Sequence, residues 1–205
     1  MTGGGRGRFI VFEGGEGSGK STQAALLADR LGAVLTREPG GTEAGGRIRA
    51  IVLDARLASP LDARAEALLM AADRAQHVAE LVGPALARGD DVVSDRFTGS
   101  TLAYQGYARG LDVGELARLS AWATGGLEPD VVLLLDVPAA VAGARMGGTL
   151  DRMEAAGDDF HRRVNEGYRA LAAADPGRWV VVDGSGTVAD VARRVSDALV
   201  AVAAR

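Results

Sequence analysis

The 205-residue chain has no cysteine, one lysine, one asparagine and two histidines. The first absence excludes disulfides, thiolate metal centres and cysteine nucleophiles together. His77 and His161 cannot by themselves build a zinc site, and both are expected to be helix or surface residues. No apolar run approaches the roughly 20 residues that span a bilayer, and the N-terminus has glycines where a signal peptide would carry its apolar core. A net charge of −4 gives no broad attraction for nucleic acid or an anionic membrane, so any basic site must be local. The expectation is a soluble, cytoplasmic chain with neither nucleic-acid nor membrane partners.

The length suits a single domain spanning 1–205, with 1–8 as a flexible lead-in through Gly3 to Gly5. Five short apolar runs read as strands at 9–13, 33–36, 91–95, 131–136 and 179–183. They are apolar throughout rather than alternating, as strands buried on both faces of a parallel sheet are. Helical spacing follows at 23–31, through Ala24, Leu27, Ala28 and Leu31. It returns at 63–88 through Ala65, Leu68, Leu69, Ala72, Ala79, Val82 and Leu86, with Asp62 as a cap. Further helices are expected at 113–122, 159–173 and 188–204. Strands alternating with helices imply right-handed βαβ crossovers.

The first strand runs into GGEGSGKST, which holds the only lysine against 22 arginines. Gly14, Gly15, Glu16, Gly17, Ser18, Gly19, Lys20, Ser21 and Thr22 fit the P-loop pattern between a strand and a helix. Glycines let successive N–H groups turn toward one anion, the helix N-terminus adds its positive end, and Ser21 offers a hydroxyl to Mg²⁺. Lys20 is expected to bridge the β- and γ-phosphates of ATP as a compact charge that arginine does not replace. The fold class is therefore α/β, a P-loop NTPase-type three-layer α/β/α domain with a five-stranded parallel sheet.

A GTPase needs an Asn-Lys-x-Asp guanine reader, and Asn165 and Lys20 are unavailable for one. Motor and transport ATPases usually carry added recognition domains for which this length leaves little room. A small-molecule kinase instead needs an acceptor-anion site opposite the P-loop and a lid. Arg37, Arg49 and Arg96 follow strand ends and offer forked donors for a monophosphate. Asp95 ends its strand as a Walker B acid would, with Asp136 a second choice for Mg²⁺.

FEGGEGSGKST, TREPGGT, LLMAADRAQH, SDRFTGSTLAYQG and LDRME, in that order, resemble the bacterial thymidylate kinase family, which converts dTMP to dTDP with ATP. The resemblance implies that Arg96 binds the acceptor phosphate, helped by Arg49. It implies that Arg74 reads the thymine edge with Gln105 nearby, and that Met70 covers the base where the family has phenylalanine. Thr101 joins the acceptor site, Tyr104 packs beneath the deoxyribose, and Glu16 contacts the sugar 3′-hydroxyl. Glu38 lies near the acceptor beside a Pro39 that is often cis in the family. The lid, about 143–157, marked by Gly147 and Gly148 as a mobile loop, holds only Arg145 and Arg152. Arg152 is expected at the transferred phosphoryl group and Arg145 near adenine. The family is usually a homodimer. Two alternatives stand beside this reading: a same-fold kinase for another pyrimidine or modified deoxyuridine monophosphate, and a nucleotide-binding regulatory module without transfer.

Overall fold

Strands and helices alternate along the chain, and the computed structural model describes residues 5–147 and 151–203. β1 (Phe9–Glu13), β2 (Val34–Arg37), β3 (Val92–Asp95), β4 (Val131–Asp136) and β5 (Trp179–Asp183) form a parallel sheet ordered β2-β3-β1-β4-β5. The helices are α1 (Lys20–Leu31), α2 (Glu43–Val52), α3 (Ala63–His77), α4 (Gly83–Ala87), α5 (Thr98–Thr101), α6 (Val113–Thr124), α7 (Ala139–Arg145), α8 (Asp158–Ala174) and α9 (Val188–Ala203). Among the described residues no helix is long and apolar enough to cross a membrane.

Alternate strand residues explain the continuous apolar runs. Ile10, Phe12, Leu133 and Leu135 pack on Ala24, Leu27 and Ala28 of α1 and on Val191 and Val195 of α9. Phe9, Val11, Val92 and Val132 pack on Val82, Leu86 and Phe97 at the opposite face. The central strands β1, β3 and β4 are thus buried from two sides, which leaves no polar face to alternate with the apolar one, whereas the edge strands β2 and β5 expose Leu35 and Val181. The C-terminal ends of β1, β2 and β3 carry Glu13, Arg37 and Asp95 to one edge, where open parallel sheets place ligands.

The expected strands fall within a residue of their positions, but the expected helix at 63–88 is interrupted. A π-helical turn at Val78–Val82 separates α3 from α4. Pro84 supplies the cause: it has no N–H, and its ring clashes with the carbonyl four residues back. The apolar stripe read on α3 is also corrected. Leu68 and Ala72 point outward, whereas the buried face carries Glu66, Met70, Asp73, Arg74 and His77. A polar face is buried because it partners other polar groups, which a search for apolar spacing does not detect.

Three segments were not expected as helices: α2, the stretch from α5 through a π-helical turn at Leu102–Ala108, and α7. The first two are rich in glycine or small polar residues. In α2 the Thr42 hydroxyl accepts the Gly45 N–H at 3.0 Å, capping a sequence with little intrinsic helical preference. The expected lid begins within α7 and resumes at a 3₁₀ turn, Glu154–Ala156. Gly148 of the expected mobile loop, and Gly3 and Gly4 of the lead-in, lie outside the described residues.

Candidate active site

The loop between β1 and α1 takes up backbone angles that require glycine. Gly14, Gly17 and Gly19 have φ of 148°, 68° and 91°. A Cβ on Gly17 would stand 2.4 Å from the Ala142 carbonyl oxygen, so α7 fixes the loop from outside. Ser18 Oγ donates to the Gly15 carbonyl at 2.8 Å. Lys20 Nζ folds inward and donates to the same carbonyl at 2.8 Å and to Ser18 Oγ at 3.3 Å. Ser21 and Thr22 stand exposed at the first turn of α1.

Burial first, and then the Arg96 charge, push the Lys20 ammonium down to about 8 despite Glu16 and Asp95 nearby. An incoming polyphosphate reverses that balance, so binding at higher pH must take up a proton. ATP affinity is accordingly expected to be level below pH 8 and to fall by up to about tenfold per unit above it. Dissociation constants measured from pH 6.5 to 9.5 check this, and a level profile to pH 9.5 would contradict it.

Ser21 Oγ donates to Asp95 Oδ2 at 2.5 Å, joining the first turn of α1 to the end of β3. Asp95 Oδ1 is buried without a hydrogen-bond partner. A hydroxyl and a carboxylate with a spare oxygen suit a hard divalent cation that keeps water and phosphate as its other ligands. The residues therefore fit Mg²⁺, and the described residues hold no cluster of three or more His, Cys, Asp or Glu side chains that would form an all-protein site.

Arg96 follows Asp95 and is the one described non-glycine residue with positive φ, at 75°. This turn aims its guanidinium back at the P-loop. Nη1 donates to the Gly14 carbonyl at 3.1 Å, Ser100 Oγ at 3.2 Å and Tyr168 OH at 3.0 Å. Nη2 donates to Glu16 Oε1 at 2.7 Å and Tyr104 OH at 3.2 Å. Burial opposes the charge of Arg96, but Glu16, Tyr104, Tyr168 and Asp95 together outweigh it and raise the guanidinium well above its ordinary value. Glu16 shows the reverse: burial favours its neutral form, yet Arg96 and Lys20 hold its carboxyl at about 2. A P-loop acid and an acceptor-side base are thus a single ionised unit at neutral pH.

Behind them Glu13 anchors the turn after β3. Its Oε1 accepts the Phe97 and Ser100 N–H groups at 3.0 and 2.9 Å, and its Oε2 accepts Ser100 Oγ at 2.7 Å and Tyr168 OH at 2.9 Å. Neither Glu13 nor Tyr168 was expected from the sequence. For Tyr168 a signal existed, because Phe160, Val164 and Tyr168 recur every four residues on α8 and point one hydroxyl into the interior.

A cavity of about 250 Å³ opens between the P-loop and α3. Glu16, Lys20, Ser21, Glu38, Arg49, Met70, Asp95, Arg96, Tyr104 and Gln105 line it, so most acceptor residues expected from the sequence are brought together. Arg37 joins them, exposed and without a carboxylate partner among the described residues. Arg49 donates to the Pro39 carbonyl at 3.0 Å. Burial and then the Arg37 charge push its guanidinium downward, against the opposing charges of Asp151 and Asp95. Two arginines facing one cavity favour an anionic ligand.

Arg74 and Thr101 are not in that lining. Arg74 is fully buried behind the wall and donates to Glu38 Oε2 at 2.8 Å, Thr101 Oγ1 at 3.0 Å and the Phe97 carbonyl at 3.0 Å. Glu38 precedes a cis Pro39 and also accepts from His77 Nδ1 at 2.8 Å, while His77 Nε2 meets Thr36 Oγ1 at 2.6 Å. His77 is therefore a helix residue, at the end of α3, and is buried behind the wall rather than at the surface. His161 reaches the Glu154 carbonyl with Nε2 at 3.0 Å.

The two arginines of the expected lid separate. Arg145 lies against the P-loop, donating to the Ser18, Gly184 and Gly186 carbonyls at 3.4, 3.0 and 3.2 Å. Arg152 is turned away from the P-loop, with Nε on the Val52 carbonyl at 2.7 Å and Nη2 on Glu66 Oε2 at 2.6 Å. Glu66, whose part the sequence does not signal, also receives Gln105 Nε2 at 2.8 Å and Arg109 at 3.3 Å.

The sequence model of the family described as Thymidylate kinase matches residues 12–195. A thymidylate kinase from Synechococcus sp. (strain JA-2-3B'a(2-13)) is 52% identical over 192 residues, 91% of each chain. One from Leifsonia xyli subsp. xyli (strain CTCB07) is 51% identical over 197 residues, 92% of each chain. The crystal structure of thymidylate kinase from Ehrlichia chaffeensis superposes with a TM-score of 0.79 at 31% identity, covering 95% of this chain and 99% of that one.

Proposed function

The chain belongs to the thymidylate kinase family and phosphorylates dTMP to dTDP with ATP, and from that premise we propose how its residues divide the work. ATP lies along the P-loop, with Lys20 released from Gly15 and Ser18 to its β- and γ-phosphates and Arg145 toward adenine. The acceptor phosphate of dTMP takes Arg96 and Arg49, with Arg37 beside them. Tyr104 and Glu16 serve the sugar, and Met70 and Gln105 serve the base. Ser21 and Asp95 would hold Mg²⁺, which supplies charge neutralisation at the phosphates. An oxygen of the dTMP phosphate forms a bond to the γ-phosphorus as the bond to the ADP oxygen breaks. No general base is needed, because the acceptor is already largely ionised at neutral pH. Catalysis is in-line positioning plus charge stabilisation. Arg152 joins only by exchanging Glu66 for the transferring phosphoryl group, and the 143–157 lid excludes water.

The Glu16–Arg96 pair, which joins the P-loop to the turn after β3, supports this reading, since phosphates bound at the P-loop and at Arg96 would lie side by side. With Mg·ATP, turnover of dTMP is expected to exceed that of dCMP, dAMP and dGMP by at least about 100-fold in kcat/KM, and comparable rates on all four would reject it. We further propose a cytoplasmic homodimer. Leu68 on α3 and Trp122 on α6 are 59% and 81% exposed, an apolar surface that a second copy would cover.

A further inference from the structure

Gln105 stands in the cavity wall with its two polar atoms in unlike states. Nε2 donates to Glu66 Oε1 at 2.8 Å, and Oε1 is buried with no partner. An amide can turn over, exchanging a donor face for an acceptor face, and only its neighbours decide which is presented. Here the neighbours leave no choice. Glu66 is a fully buried carboxylate that also accepts from Arg109 at 3.3 Å and Arg152 at 2.6 Å. Held ionised between two guanidinium groups, it has lone pairs and no proton to offer. A flipped Gln105 would set oxygen against carboxylate and leave Nε2 without an acceptor, a loss of about 1–3 kcal/mol per unpaired group before repulsion is added.

We propose that Glu66 is a positioning residue that fixes the Gln105 amide with its oxygen as the only polar atom free for the base, and so selects pyrimidines that carry a proton on N3. The inference rests on the placement of the base against Met70 and Gln105. Thymine and uracil present N3–H as a donor, whereas cytosine presents N3 as an acceptor and would meet the Gln105 oxygen lone pair to lone pair. A site that hydrogen-bonds one such edge rejects the mismatched edge far more strongly than a site that reads shape alone. The device does not separate thymine from uracil, because both carry N3–H. That discrimination is left to whatever meets the 5-methyl group.

The test is the ratio of kcat/KM for dTMP to that for dCMP, measured on the wild type, Glu66→Gln, Glu66→Asp and Gln105→Ala. Both constants come from one preparation, so the ratio does not depend on the fraction folded. In Glu66→Gln the new amide can donate as well as accept, Gln105 can turn over, and the ratio is expected to fall at least about tenfold. Glu66→Asp keeps a pure acceptor and should hold the ratio within about threefold of the wild type. An unchanged ratio in Glu66→Gln, with both substrates slowed alike, would overturn the proposal and leave Glu66 structural. An unchanged ratio in Gln105→Ala would show instead that the base is misplaced, which overturns the underlying reading as well. Should Glu66→Gln not fold, a neutron structure of the wild type with dTMP decides. Deuterons on the Gln105 atom facing Glu66, with its oxygen toward the ring N3, support the proposal, and an oxygen turned from the base overturns it.

Discussion

Arg96→Ala is expected to lower kcat/KM for dTMP by at least about 10³-fold, through two losses that act together. The first is the forked donor set that meets the acceptor phosphate. The second is local order, because the Arg96 side chain ties Gly14, Glu16, Ser100, Tyr104 and Tyr168 into one unit. Its removal leaves Glu16 partly buried without its cation, and truncating one member of such a pair costs about 3–5 kcal/mol when burial is complete. Lysine is not a substitute: a single ammonium cannot reach the several acceptors spread around the edge of the planar guanidinium. Arg96→Lys should therefore recover little activity. A loss of only a few-fold in steady-state assays of Arg96→Ala would place the acceptor phosphate elsewhere.

Lys20→Ala is expected to reduce kcat by about 10³-fold or more while leaving the fold as stable as before, or more so. The two outcomes have one cause. Burial and the neighbouring Arg96 push the Lys20 ammonium from its ordinary value to about 8, so its charged form is disfavoured in the folded chain. For a base whose folded value lies below its unfolded one, the cost is fully present below the folded value and disappears as pH rises toward the unfolded one. At pH 7 that cost is on the order of 3 kcal/mol, offset by the bonds to Gly15 and Ser18. Truncation relieves the penalty and loses the catalyst. Thermal melting beside single-turnover assays checks both halves. A strongly destabilised Lys20→Ala protein would contradict this account of the lysine.

The sheet was legible because its central strands are apolar on both faces, and the P-loop because its glycines, lysine and hydroxyl lie consecutively. Features that depend on distant partners were not. The buried face of α3 bears Glu66, Asp73, Arg74 and His77, and burial of such groups is satisfactory only when Gln105, Gly40, Glu38 and Thr36 arrive from other elements. Read from spacing alone, the apolar residues opposite them look like the core side. Pro84 was visible, and its effect on the helix follows from local sterics, so that interruption was available to a stricter reading. The engagement of Arg152 with Glu66 was not, since nothing near LDRME indicates which carboxylate, 86 positions away, it meets.

The division of the site into a nucleotide half and an acceptor half is tested most directly by binding constants for both ligands on both truncated proteins. Lys20→Ala should weaken ATP while leaving dTMP within about threefold, and Arg96→Ala should weaken dTMP by at least about 30-fold with a smaller effect on ATP. That crossed pattern is the expected result. Loss of dTMP binding in Lys20→Ala, or undiminished dTMP binding in Arg96→Ala, would contradict it.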